Sequence, residues 1–114
     1  MPKLTYLEIF AKDPAQAARF YEAVCGWKID QRSADDFRFS DDAASLIGRW
    51  TRGDGGDGMI SYFTVADVEA SVAAAQQLGG AVVRATYHEG NTLIAKLEDP
   101  SGNVFGVWHF FDRR

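Results

Sequence analysis

The chain has 114 residues, 46% of them apolar and 25% charged, with a formal net charge of −4 at pH 7. Those values describe one globular domain with a real core and exclude disorder. They also lack the Lys/Arg cluster that nucleic acid would need and the run of roughly 18 apolar residues that a membrane helix would need.

The first segment, "LTYLEIFAKD", alternates as a strand does. Leu7, Ile9 and Ala11 share one side; Tyr6, Glu8 and Phe10 share the other. Asp13 then offers an N-cap and Pro14 the first helical position. The spacing predicts a helix whose apolar stripe is Ala17, Phe20, Tyr21 and Val24, ended by Gly26 as a left-handed cap. The single Cys25 cannot form an internal disulfide and is expected as a buried packing residue in a reducing, cytoplasmic setting. Strands are expected at "WKID", at Phe37–Ser40 and from Ala44 to Trp50, with "SDDAAS" as a turn between the last two. "TRGDGGDG" is the flexible joint, and no Lys–Ser/Thr follows it to make a phosphate loop.

After the joint the pattern repeats. Asp67 stands 54 residues after Asp13 as a second N-cap. Ser71, Ala74, Ala75 and Leu78 repeat the stripe in smaller residues, and Gly80 is expected to end the helix. "AVVRATY", Thr92–Glu98 and Asn103–Phe110 follow as strands, the last two joined by the turn "EDPSGN". The chain is therefore a tandem duplication of a βαβββ unit: module 1 about 3–50, linker 51–58, module 2 about 59–110, in the α+β class.

One helix per module implies that the helices cover one sheet face and leave the other open. Parity puts Leu7, Ile9, Ala11, Ser61, Phe63 and Val65 under the helices, with Phe105, Val107 and His109 on one parity of the last strand. Tyr6, Glu8, Phe10, Ile60, Tyr62, Thr64 and Trp108 then lie on the open side. A face so rich in aromatics implies either a ligand groove or burial against a second subunit.

The runs "YLEIFAKDPAQAARFYEAVCGW", "YFTVADVEASVAAAQQLGGAVV" and "LEDPSGNVFGVW" together resemble the vicinal oxygen chelate superfamily, the glyoxalase, bleomycin-resistance and extradiol-dioxygenase group. The resemblance implies two βαβββ modules forming a U-shaped, eight-stranded mixed sheet around a cleft, helices outermost, commonly in a homodimer. Metal-using relatives hold a divalent ion with a His on the first strand and a Glu on the last strand of each module. Carried over, those positions are Tyr6, Ile60 and Gly106, with Arg49 or a neighbour as the fourth. None is a metal ligand, so no metal or other cofactor is expected. His109 is expected as a structural imidazole and His88 as a solvated loop residue, each with a lesser role in chemistry left open. Glu8 is the best candidate for an acid, a base or an anchor, and a Glu8–Arg49 pair is a natural expectation.

The resulting expectation is a metal-free protein binding an aromatic or cationic small molecule through Tyr6, Glu8, Arg49, Tyr62 and Trp108, with Trp50 a further stacking candidate. The alternative is a glyoxalase-like lyase or isomerase using Glu8 or a cryptic metal; a module whose groove is filled by a partner protein is the third. Nucleic acid and membrane are not expected partners.

Overall fold

The computed structural model describes residues 2–41, 43, 45–53 and 58–111. In chain order the elements are β1 (Lys3–Ala11), α1 (Pro14–Cys25), β2 (Lys28–Gln31), β3 (Phe37–Ser40), β4 (Ile47–Arg52), β5 (Met59–Thr64), α2 (Val68–Gln77), β6 (Ala81–Glu89), β7 (Thr92–Glu98) and β8 (Val104–Phe110). The expected α+β class and the βαβββ order, written twice, are both present. The chain forms two compact units, Thr5–Ile60 and Ser61–Arg114 with Met1–Leu4.

Each unit is built the same way. In the first the strand order is β2-β3-β4-β1, and in the second β5-β8-β7-β6. The first and last strand of a unit pair in parallel, Tyr6 opposite Ile47 and Ser61 opposite Phe105, while the remaining pairs are antiparallel. A parallel pair cannot be joined by a tight turn, and the intervening helix and strands supply the crossover it requires.

Both helices begin as the sequence implies. Asp13 accepts a hydrogen bond from the Gln16 N–H, and Asp67 accepts from Glu69 and Ala70. Their buried stripes differ from the expected ones. In α1, Pro14 and Ala18 are buried and Tyr21 packs on the core, whereas Phe20 and Val24 are 59% and 65% exposed. In α2, Val68, Val72 and Ala75 face the core and Leu78 is exposed. Both observed stripes run i, i+4, i+7 from the first helical residue; of the expected sets Ala17, Tyr21 and Ala75 do pack on the cores, while Phe20, Val24 and Leu78 are exposed. The N-cap sets that phase, because it aims the first turn at the sheet. Cys25, the last residue of α1, is exposed rather than buried as expected.

Gly26 ends α1 in the left-handed region at φ 71°, its N–H donating to the Glu22 carbonyl. At the end of α2 that conformation belongs to Gly79 (φ 92°) rather than Gly80, whose N–H instead returns to the Ala75 carbonyl. Strand β4 starts at Ile47, not Ala44. The Asp41 carboxylate accepts from Ser45 and Leu46 N–H and from the Ser45 hydroxyl, and so ties these two residues back to Asp41 ahead of the strand. At its other end β4 runs through Thr51 and Arg52, two residues expected in the linker, with Arg52 opposite Ala11. Ala44 and linker residues 54–57 lie outside the described residues.

The cores confirm the parity assignment. The first contains Ile9, Ala18, Phe37, Phe39 and Trp50, with Leu7 and Ala11 against it. Trp27 stacks on Phe39 at 4.2 Å between ring centroids and on Tyr21 at 5.2 Å. The second core contains Val68, Ala95, Leu97 and Val107, with Phe105 and Val65 against it. Each large side chain fully buried in this way contributes about 1.5–3 kcal/mol.

Candidate functional site

In the first unit, the sheet face away from α1 is set by register. Glu8 lies opposite Arg49, and Arg49 lies opposite Arg38 on its other side. Cross-strand partners project to the same side, so one carboxylate and two guanidiniums share a patch, with Tyr6 and Phe10 two residues to either side of Glu8. The Glu8 carboxylate accepts a 2.7 Å hydrogen bond from the Thr51 hydroxyl. Arg38 is gripped by Asp36 through two hydrogen bonds of 3.0 and 3.1 Å. That fork holds the Asp36 carboxyl below its ordinary value, with the Arg38, Arg49 and Arg32 charges adding to it and burial opposing. The same hydrogen bond raises Arg38 against its own burial, helped by the charges of Asp36, Tyr6 and Asp30.

Arg49 differs from Arg38. Its Nε is buried and has no hydrogen-bond partner, and the ion pairs of the described residues do not include it. The expected Glu8–Arg49 pair is thus adjacent in register but not joined by such a contact. Thr51, Asp36 and Arg38 were missed as neighbours of the site. Arg38 had a signal, since it alternates with the apolar Phe37 and Phe39; Thr51 was hidden by its place beside the Gly/Asp joint.

In the second unit, the face away from α2 carries Tyr62, Thr64, Gly106, Trp108, Ile94 and Lys96. Tyr62 is 9% exposed although it is not on the helix side. Its ring lies directly on Gly106, and any Cβ there would overlap it. Trp108 meets the edge of Phe110 at 4.9 Å, and its indole N–H is buried without a partner. Trp50, entertained as a ligand-stacking residue, is instead 1% exposed in the first core, tilted against Phe39 at 4.8 Å. The parity of β4 puts it under the helix.

The two histidines fall on β8 and β6. His109 is on the helix side and its Nδ1 accepts from the Val68 N–H at 3.0 Å, which places the ring proton on Nε2 and makes the imidazole an extra cap for α2. His88 lies within β6 opposite Leu93, with its ring 5.0 Å from that of Phe111, so it is a strand residue and not a loop one.

Register also aligns the two modules rung by rung. Glu8 opposite Arg49 in the first corresponds to Tyr62 opposite Gly106 in the second. Arg49, rather than a neighbour, is therefore the counterpart of Gly106. Tyr6, Ile60, Arg49 and Gly106 present a phenol, an alkyl group, a cation and no side chain, and the Tyr62 ring fills the space above the last. This donor set does not fit a divalent ion. Among the described residues no three His, Cys, Asp or Glu side chains cluster closely enough to hold a metal.

Tandem βαβββ units with one helix-free sheet face each define the vicinal oxygen chelate class. The chain matches the glyoxalase-like domain family over residues 6–108 and belongs to it. Solved structures agree on the fold. Methylmalonyl-CoA epimerase from Mycobacterium tuberculosis superposes with a TM-score of 0.72 at 13% identity, covering 96% of this chain and 89% of that one. A glyoxalase/bleomycin resistance protein/dioxygenase superfamily member from Vibrio splendidus 12B01 gives 0.70 at 13% identity, with 96% and 99% covered. Streptomyces coelicolor methylmalonyl-CoA epimerase gives 0.65 at 16% identity, with 96% and 98% covered. No curated protein matches the sequence. Among the described residues no helix is long and apolar enough to cross a membrane.

Proposed function

We propose that this glyoxalase-like chain is a metal-free small-molecule-binding protein that holds an aromatic ligand on its helix-free sheet faces. The observation that carries this reading is the Tyr62 ring seated on Gly106. Where metal-using relatives need a carboxylate, this chain has traded the side chain for room to lay an aromatic ring. In the first unit Tyr6 and Arg49 offer stacking surface and hydrogen-bond donors, and in the second Trp108 does, which suits binding better than metal-assisted chemistry.

Two measurements test it. Protein purified without chelators should carry only substoichiometric Zn, Ni, Fe or Mn; a full equivalent of any would overturn the reading. Trp27 and Trp50 lie in the first core, whereas Trp108 lies on the open side of the second unit. A panel of aromatic compounds should therefore quench fluorescence that Trp108→Phe removes. Quenching that persists in that variant would count against binding at this face. Assembly as a homodimer belongs to the same proposal, and sedimentation velocity should give twice the 12.6 kDa chain mass.

A second reading has one observation behind it. The Thr51 hydroxyl fixes the Glu8 carboxylate beside Arg49. Methylmalonyl-CoA epimerases are among the chain's structural neighbours, so acid–base catalysis through Glu8 is the enzyme alternative. Glu8→Gln separates the two: loss of turnover with affinity retained would favour the enzyme.

A further inference from the structure

The face around Arg49 has its charges arranged unevenly. Arg38 is neutralised at close range by Asp36, and Glu8 is bound to the Thr51 hydroxyl. The Arg49 guanidinium, between them in register, makes no hydrogen bond or ion pair among the described residues. Only its Nε is both buried and unpartnered, so the terminal nitrogens are the part of the guanidinium that a ligand reaches. A planar guanidinium fork with unpaired terminal nitrogens is shaped for a planar carboxylate.

We infer that Arg49 anchors the carboxylate of a small aromatic acid, with the ring lying beside Tyr6 and Phe10 on the same face. This rests on the ligand-binding reading above and names the ligand's class. It also reverses the sign that the whole-chain charge implies. The net charge of −4 favours a cationic guest, but charges farther than about 8–10 Å are screened at physiological salt. Within the patch, Arg38 and Arg49 balance Asp36 and Glu8, which leaves it close to neutral before a ligand arrives. A monoanion is therefore accommodated, whereas a phosphate dianion would meet the two flanking carboxylates.

The test titrates benzoate, benzylammonium and inorganic phosphate into the full chain. Binding is followed by heat and by the arginine Nε–Hε resonances. Benzoate should bind saturably, move the Arg49 resonance, and weaken with added salt. Arg49→Gln should lower its affinity by about tenfold or more, with Arg49→Lys in between. Benzylammonium and phosphate should not compete. Benzoate affinity unchanged in Arg49→Gln, or an Arg49 resonance that stays still on saturation, would overturn the inference. If the Gln variant fails to fold, the wild-type resonance decides alone. Neutral indole that quenches Trp108 while benzoate ignores Arg49 would leave the ligand-binding reading standing and remove only the anchor. Failure of every aromatic compound to bind would remove both.

Discussion

Gly106 shows how much one absent carbon can decide. The Tyr62 ring occupies the volume a Cβ would take, so Gly106→Ala must push the ring aside or shift β8. Overpacking of this kind costs about 1–3 kcal/mol, which urea denaturation should reveal. The loss should largely vanish in a Tyr62→Ala background, because the clash partner is then gone. An equal loss in both backgrounds would mean that Gly106 is needed for its backbone alone. Most of this residue-scale picture was legible in advance. Strict alternation in the first strand of each module put Tyr6, Glu8 and Tyr62 on the open side. What alternation could not supply was contact. The grip of Thr51 on Glu8 depends on which strand lies alongside, whereas the Asp36–Arg38 fork is local and the burial of Trp50 follows from alternation beside Arg49. Register of that kind is written in long-range pairing, not in local pattern.

At the scale of elements, the family-like signature "DPSGN" turns out to be turn chemistry. The Asp99 carboxylate accepts from the Ser101 and Asn103 N–H groups and from the Asn103 side-chain amide, closing the connection between β7 and β8. Those bonds, led by the one from the Asn103 backbone, hold the Asp99 carboxyl below its ordinary 3.8, while burial opposes them. The folded value is lower than the unfolded one. The stabilisation is thus complete above the unfolded value near 3.8 and is lost as pH falls through the folded one. Asp99→Asn should accordingly show a shallower loss of thermal stability below about pH 4 than the parent chain. An unchanged acid limb would assign the acid sensitivity to other carboxylates, Asp36 first among them. The caps Asp13 and Asp67 were equally plain in the sequence. The helix stripes were not, because Phe20 and Val24 fit the periodicity as well as Pro14 and Ala18 do. Only the direction of the first turn chooses between them.

For the molecule as a whole, the repeat is the organising fact, and the two copies have diverged in content while keeping their frame. The helix positions Pro14, Ala18 and Tyr21 match Val68, Val72 and Ala75 one for one. The first core is aromatic, the second aliphatic, and the clusters share no residue. Leu97→Ala, at a 1% exposed position, should cost about 2–5 kcal/mol and Ile9→Ala a similar amount. Without shared partners the two losses should add to within about 0.5 kcal/mol, as chemical denaturation of the double variant can show. The rung that carries Glu8 and Arg49 in one module and Tyr62 and Gly106 in the other is where that divergence concerns binding.

The parallel pairing of first and last strand also governs how each unit is born. On the ribosome, β1 emerges early but its partner begins only at Ile47; β5 likewise waits for β8, with Ser61 facing Phe105. The consecutive antiparallel strands can pair as the chain appears, but the parallel pair of each unit cannot. Each must hold an unpaired apolar strand until its own last segment is made, and contacts so distant in sequence slow folding relative to a helical chain of equal length. During that interval the unpaired first strand is the segment most open to association with other chains.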